Sequence, residues 1–141
     1  MVKSIIEQLC FGVVINKSSL KSANKMALIS IDDAAMTAIS NYIKTNNLSE
    51  INDTDKPINN LELFLEIIVT QHKITNFEME DIKKFHNLKK NLLRQSDIII
   101  SDVVNKYVVL VKILLAYLYD YRATKSEWEG MIEDYRKKLK L

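Results

Sequence analysis

Two glycines, Gly12 and Gly130, and one proline, Pro57, are all that this chain of 141 residues contains. Tight turns draw on Gly and Pro, so a sandwich or barrel, with its many turns, is effectively excluded. Phosphate loops and dinucleotide fingerprints need clustered glycines and are excluded with it. A hydrophobic share of 48% and a charged share of 27% argue against disorder. A chain of this length buries enough surface for a core without a disulfide or metal staple. The expectation is a soluble, all-α, antiparallel helical bundle forming a single domain over residues 1–141.

Periodicity says where the helices fall. Val2 to Ile15 reads as a short helix whose end is weakened by Gly12. Over 20–43, Leu20, Ala23, Ala27, Ile31, Ala34 and Ala38 recur at the three-and-four spacing of one buried face. Met26, Leu28, Ile39 and Ile43 broaden that stripe. Residues 46–60 are polar, contain Pro57 and read as one long loop ahead of a short amphipathic helix ending near His72. Thr75 with Glu78 has capping-box form and opens a helix to about Leu93. Ser101 and Asp102 start the next, which runs to about Tyr121 with apolar residues nearly all round, the pattern of a central helix. Thr124 and Glu127 form a second capping-box candidate before a final helix over 126–139. The count is four core helices with flanking N- and C-terminal ones.

Twenty Lys and Arg against 18 Asp and Glu leave a net charge of +2, too mild to imply a nucleic-acid binder. Cys10 is single, which excludes an intramolecular disulfide and a multi-cysteine zinc site. A lone thiol among apolar neighbours fits a core position in a reducing compartment. Glu7 spoils a signal peptide at the start, and the most apolar segment, 107–119, is interrupted by Lys112 and too short to span a bilayer. These features point to the cytoplasm and to no membrane association.

No cofactor motif is present, and His72 and His86 lack the spacing of metal ligands. The residue pattern favours plain surface or capping histidines. Asp32 and Asp33 are adjacent, and Glu78, Glu80 and Asp81 cluster where the macrodipole of a helix start explains them without catalysis. Glu-x-x-His pairs of di-iron bundles are missing. The sharper feature is KKFHNLKKNLLRQ at 83–95, with Lys83, Lys84, Lys89, Lys90 and Arg94 and no acid among them. Helical spacing puts His86, Lys89 and Lys90 on one face, with Lys83 a turn earlier. Such a face can hold a phosphate backbone by charge alone, or can simply be solvated. Tyr117, Tyr119, Tyr121 and Trp128, which could stack on bases, lie elsewhere in the chain, which favours solvation.

Two stretches resemble the HEPN superfamily. ANKMALISIDDAAMTAISNYIK at 23–44 is similar to its first long helix, an alanine-rich run with a central Ile-Asp. FEMEDIKKFHNLKKNLLRQSDIIISDVVNKYVVLVKILLAYL resembles its later helix pair, with a pattern near Phe-His-x-Leu-Arg-Asn-x-x-x-His-Gly. The likeness spans roughly 20–120 and implies an all-α bundle, commonly dimeric. In active members an Arg, four to six residues and a His carry metal-independent RNA cleavage.

Here Phe85, His86, Asn87 and Leu88 match the lead-in, but Lys89 stands at the Arg position and Lys90 at the Asn. Arg94 and Gln95 replace the His-Gly pair, and no His lies from 87 to 141. Lysine keeps the charge but loses the bidentate fork, and arginine cannot exchange a proton near neutral pH. Ser96 stands where some members carry a modifiable Tyr. His86 is the one rescue candidate for lost chemistry.

The resemblance therefore implies a catalytically degenerate, homodimeric binding protein without cofactor. Its partner would be RNA or a protein such as a nucleotidyltransferase, through Lys83, Lys84, His86, Lys89, Lys90 and Arg94. The rival expectation is a metal-independent ribonuclease, for instance a toxin. A third is a structural helical protein with an accidental likeness.

Overall fold

The computed structural model describes residues 2–46, 76–91 and 101–141. They form five helices: α1 (Val2–Asn16), α2 (Ala23–Thr45), α3 (Asn76–Asn91), α4 (Ser101–Tyr119) and α5 (Lys125–Leu139). Among the described residues there is no strand, and no helix is long and apolar enough to cross a membrane. The architecture is an all-α bundle. The expected loop beyond Asn46, the expected helix at 61–72, His72, Thr75 and Arg94 lie outside the described residues.

Helices α1 and α2 make the most extensive pairing, and α2 also carries α3 and α4. The alanines of α2 explain this role. Ala27, Ala34, Ala35 and Ala38 are all fully buried, and their small side chains let neighbouring helices approach closely. Gly12 does not end α1 but lies inside it, where α1 meets α2. A Cβ at Gly12 would sit 2.7 Å from Ile31 Cγ1 and 3.3 Å from the Ala27 carbonyl oxygen. Glycine is the residue the approach requires.

Helix α2 starts at Ala23, three residues later than the apolar stripe suggests. Ser22 precedes it in the left-handed region at φ 61°. Leu20 thus falls before the helix and is 44% exposed, and Met26 is 43% exposed on the outer side. The spacing predicts both toward the core; the late helix start corrects Leu20, and Met26, inside α2, lies beside the buried face instead of on it. Their neighbours Ala23, Ala27, Leu28, Ile31, Ala34, Ala38, Ile39 and Ile43 are buried as expected.

Helix α4 buries Val104, Tyr107, Val111, Leu114 and Leu115 against α1, α2 and α3. It is not wrapped on every side, for Val109 is 56% and Tyr117 39% exposed. Asn16 at the end of α1 ties to its first turn, donating from Nδ2 to Ser101 Oγ at 3.1 Å and Asn105 Oδ1 at 3.2 Å.

Helix α5 opens with the capping box expected at Thr124 and Glu127. The Glu127 amide donates to Thr124 Oγ1 at 3.1 Å, and the Thr124 amide to Glu127 Oε1 at 3.2 Å. Arg136, Lys137 and Lys138 occupy its last turn, where the helix dipole favours cations. α5 lies along α1 and buries no residue completely, so it rests on the bundle through half-buried Trp128, Met131, Ile132 and Tyr135.

Candidate functional site

An acid in the middle of a buried stripe must be paired, because an ionised carboxylate out of water is costly when alone. Asp32 is that acid. It follows Ile31 at the centre of the alanine-rich run, four residues after Leu28 and three before Ala35, and is fully buried. Each helix touching α2 on this side supplies it with a donor.

From α4, Tyr107 donates its hydroxyl hydrogen to Asp32 Oδ1 at 2.6 Å. From α3, His86 Nδ1 lies 3.1 Å from Oδ1 and 3.0 Å from Oδ2. A carboxylate only accepts, so this contact assigns the hydrogen to Nδ1. One turn on, Lys89 Nζ lies 3.7 Å from Asp32 Oδ2 and 3.7 Å from Asp33 Oδ1, bridging the adjacent acids. The ring of Phe85 stacks on Tyr107 with centroids 4.9 Å apart. Burial, and then the Asp32 charge, push the Tyr107 phenol well above its ordinary value.

A carboxylate that orients Nδ1 and leaves Nε2 open is the pairing that prepares an imidazole for proton transfer. Here the open nitrogen faces no solvent. His86 is 5% exposed, and its Nε2 is buried without a hydrogen-bond partner among the described residues. The imidazole is therefore a core group that fastens α3 to α2, and not the surface or capping histidine that the residue pattern favours. A substrate outside the bundle cannot reach it in this conformation.

The basic residues of α3 separate into two groups. Lys89 turns to the acids of α2, and Lys83 pairs with Glu80 at 3.3 Å. Lys84 and Lys90 are exposed. Helical spacing brings His86 and Lys89 together as expected, while Lys90 stands away from the buried cluster.

Asp32 and Tyr107 do not stand out as site residues in the sequence, although each leaves a signal there. Asp32 interrupts an otherwise apolar stripe, and Tyr107 takes the place of an aliphatic residue between Val104 and Val111. Cys10 is buried as expected, and burial pushes its thiol from 9.0 to about 11. Among the described residues, no group of three or more His, Cys, Asp or Glu side chains gathers to hold a metal ion. In comparisons with known proteins, no family model, no curated protein and no solved structure matches the chain.

Proposed function

We propose that the protein is a HEPN-like helical module that works by binding a partner and performs no chemistry of its own. The observation that carries this reading is the burial of His86. It is the only imidazole near the degenerate motif, and its Nδ1 is committed to Asp32 while its Nε2 is sealed in the core. The cations that remain at the motif cannot act as a general base near neutral pH.

The binding surface favours a protein over a phosphate backbone. Lys83 and Lys89 are engaged by acids of the chain itself, which reduces the charge α3 offers to RNA. Exposed Lys84 and Lys90 keep RNA as the second reading.

The test is incubation of the purified protein with single-stranded RNA in the presence of a chelator. Intact RNA is expected. Cleavage that survives the chelator and is lost in His86→Gln would replace this reading with that of a metal-independent ribonuclease.

A further inference from the structure

Between α4 and α5 runs an open groove of about 870 Å³. Its α4 wall spans Asn105 to Ala116, which at 1.5 Å per residue is about 17 Å, or three helical turns. Val109 and Ile113 from α4 face Trp128 and Ile132 from α5 across it. The apolar surface continues past the groove to exposed Tyr117, one turn beyond Ile113.

The groove's charge is unbalanced. Four cations line it, Lys17, Lys112, Arg122 and Lys125, against Glu129 and Glu133. Arg122 pairs with Asp120, and Glu133 is held by Arg136. Lys17, Lys112 and Lys125 have no carboxylate at ion-pair distance among the described residues. Lys112 lies over the Trp128 ring, 4.3 Å from its centroid, a contact that holds the ammonium in place without neutralising it. Burial pulls Lys112 below its ordinary value, with Cys10 acting against the fall and the charge of Lys17 adding to it. Two neighbouring lysines without a counter-charge call for an anion from outside.

We infer that this groove is the docking site for an acidic amphipathic helix of a partner protein. The inference goes beyond the α3 surface considered above and rests on the reading that the protein works by binding a partner. A helix laid between two others inserts apolar residues at three-and-four spacing into the floor, and its acidic flanks reach the rim. A nucleic-acid backbone would press its phosphates onto an apolar floor and lose their hydration. A single acyl chain would leave Val109 and Tyr117 uncovered, whereas a helix about 10–12 Å across covers both.

Trp128 is the single tryptophan and reports directly on occupancy. The probe is a synthetic amphipathic helix of about 15 residues with leucines on one face and glutamates on the other, compared with a twin carrying lysines for the glutamates. The glutamate peptide is expected to shift Trp128 emission saturably, and the lysine twin to fail. Lys17→Glu and Lys112→Gln should each weaken binding roughly tenfold or more, and Lys44→Glu, on an exposed residue in the last turn of α2 outside the groove, should leave it unchanged. Circular dichroism checks that the variants fold, and Lys17→Glu, on an exposed residue, stands if Lys112→Gln disturbs the Trp128 contact.

An unmoved Trp128 signal overturns the inference, as does equal binding of both peptides or indifference to Lys17→Glu. Anionic phospholipid vesicles that move Trp128 when the peptide does not would assign the groove to lipid instead. Self-association that buries Trp128 would assign it to a second copy. None of these results touches the RNA-cleavage test, so failure here leaves the non-catalytic reading standing.

Discussion

Tyr107 on α4 places its hydroxyl 2.6 Å from the carboxylate of Asp32 on α2, and both residues are fully buried. His86 of α3 meets the same carboxylate, so one acid joins three helices. Removing it should cost more than removing either donor. Asp32→Ala strands two buried donors and should destabilise by about 3–5 kcal/mol in urea unfolding. Tyr107→Phe loses one hydrogen bond to a charged group and should cost about 1.5–3 kcal/mol. The double variant should fall short of the sum, since both changes act on one contact. An Asp32→Ala effect below about 1 kcal/mol would mean that the cluster does not hold the helices together.

The two glycines are both helical yet should respond in opposite ways to alanine. Gly130 has no atom within 4 Å of an added Cβ, so Gly130→Ala should stabilise by about 0.5–1 kcal/mol through helix propensity. At Gly12 the same gain is set against a Cβ driven to 2.7 Å from Ile31 Cγ1. Overpacking of about 1–3 kcal/mol should outweigh it. The cost of Gly12→Ala should shrink when it is measured against an Ile31→Val background, which removes a methyl group of the facing side chain for about 0.5–1.5 kcal/mol of its own. Thermal unfolding of Gly130→Ala, Gly12→Ala, Ile31→Val and the Gly12→Ala/Ile31→Val double variant checks both the opposite signs and the coupling.

Cys10 gives alkaline pH a defined effect. The folded thiol keeps its proton until about pH 11, whereas the unfolded thiol releases it near 9.0. Between those values the unfolded state binds fewer protons, so stability is complete below pH 9.0 and declines as pH rises. The slope should be at most about 1.4 kcal/mol per pH unit. Tyr107 adds to it in the same direction at higher pH. Unfolding measured across this range should show a shallower decline for Cys10→Ala, and the native thiol should resist modification at mildly alkaline pH.

The cations of α3 should separate in a salt titration. Lys84→Gln with Lys90→Gln changes exposed residues and should leave stability within about 0.5 kcal/mol. If single-stranded RNA binds through them, the log–log salt slope should drop by about 1.4, because each phosphate that a lysine neutralises on a single strand contributes about 0.7. Lys89→Gln should instead lower stability, because Lys89 serves Asp32 and Asp33. A slope unmoved by the Lys84 and Lys90 changes would remove RNA as the ligand of this face.

By itself the sequence determined the helical class, the start of α5 at its capping box, the buried face of α2 from Ala23 onward and the core position of Cys10. Those properties arise from interactions within a few residues, namely the three-and-four period, a cap three positions from its partner, and a shortage of turn formers. Tertiary structure decided the rest. Asp32 finds His86 54 positions away and Tyr107 75 positions away, so no local window contains the cluster. Periodicity places His86 and Lys89 on one face of α3, but only the packing of α3 on α2 turns that face toward the buried acid. Gly12 reads locally as a weak helix end and becomes a contact point only when Ile31 and Ala27 are brought against it. The physical reason is common to all three: burial and charge pairing depend on which helices meet, and helix propensity does not encode that.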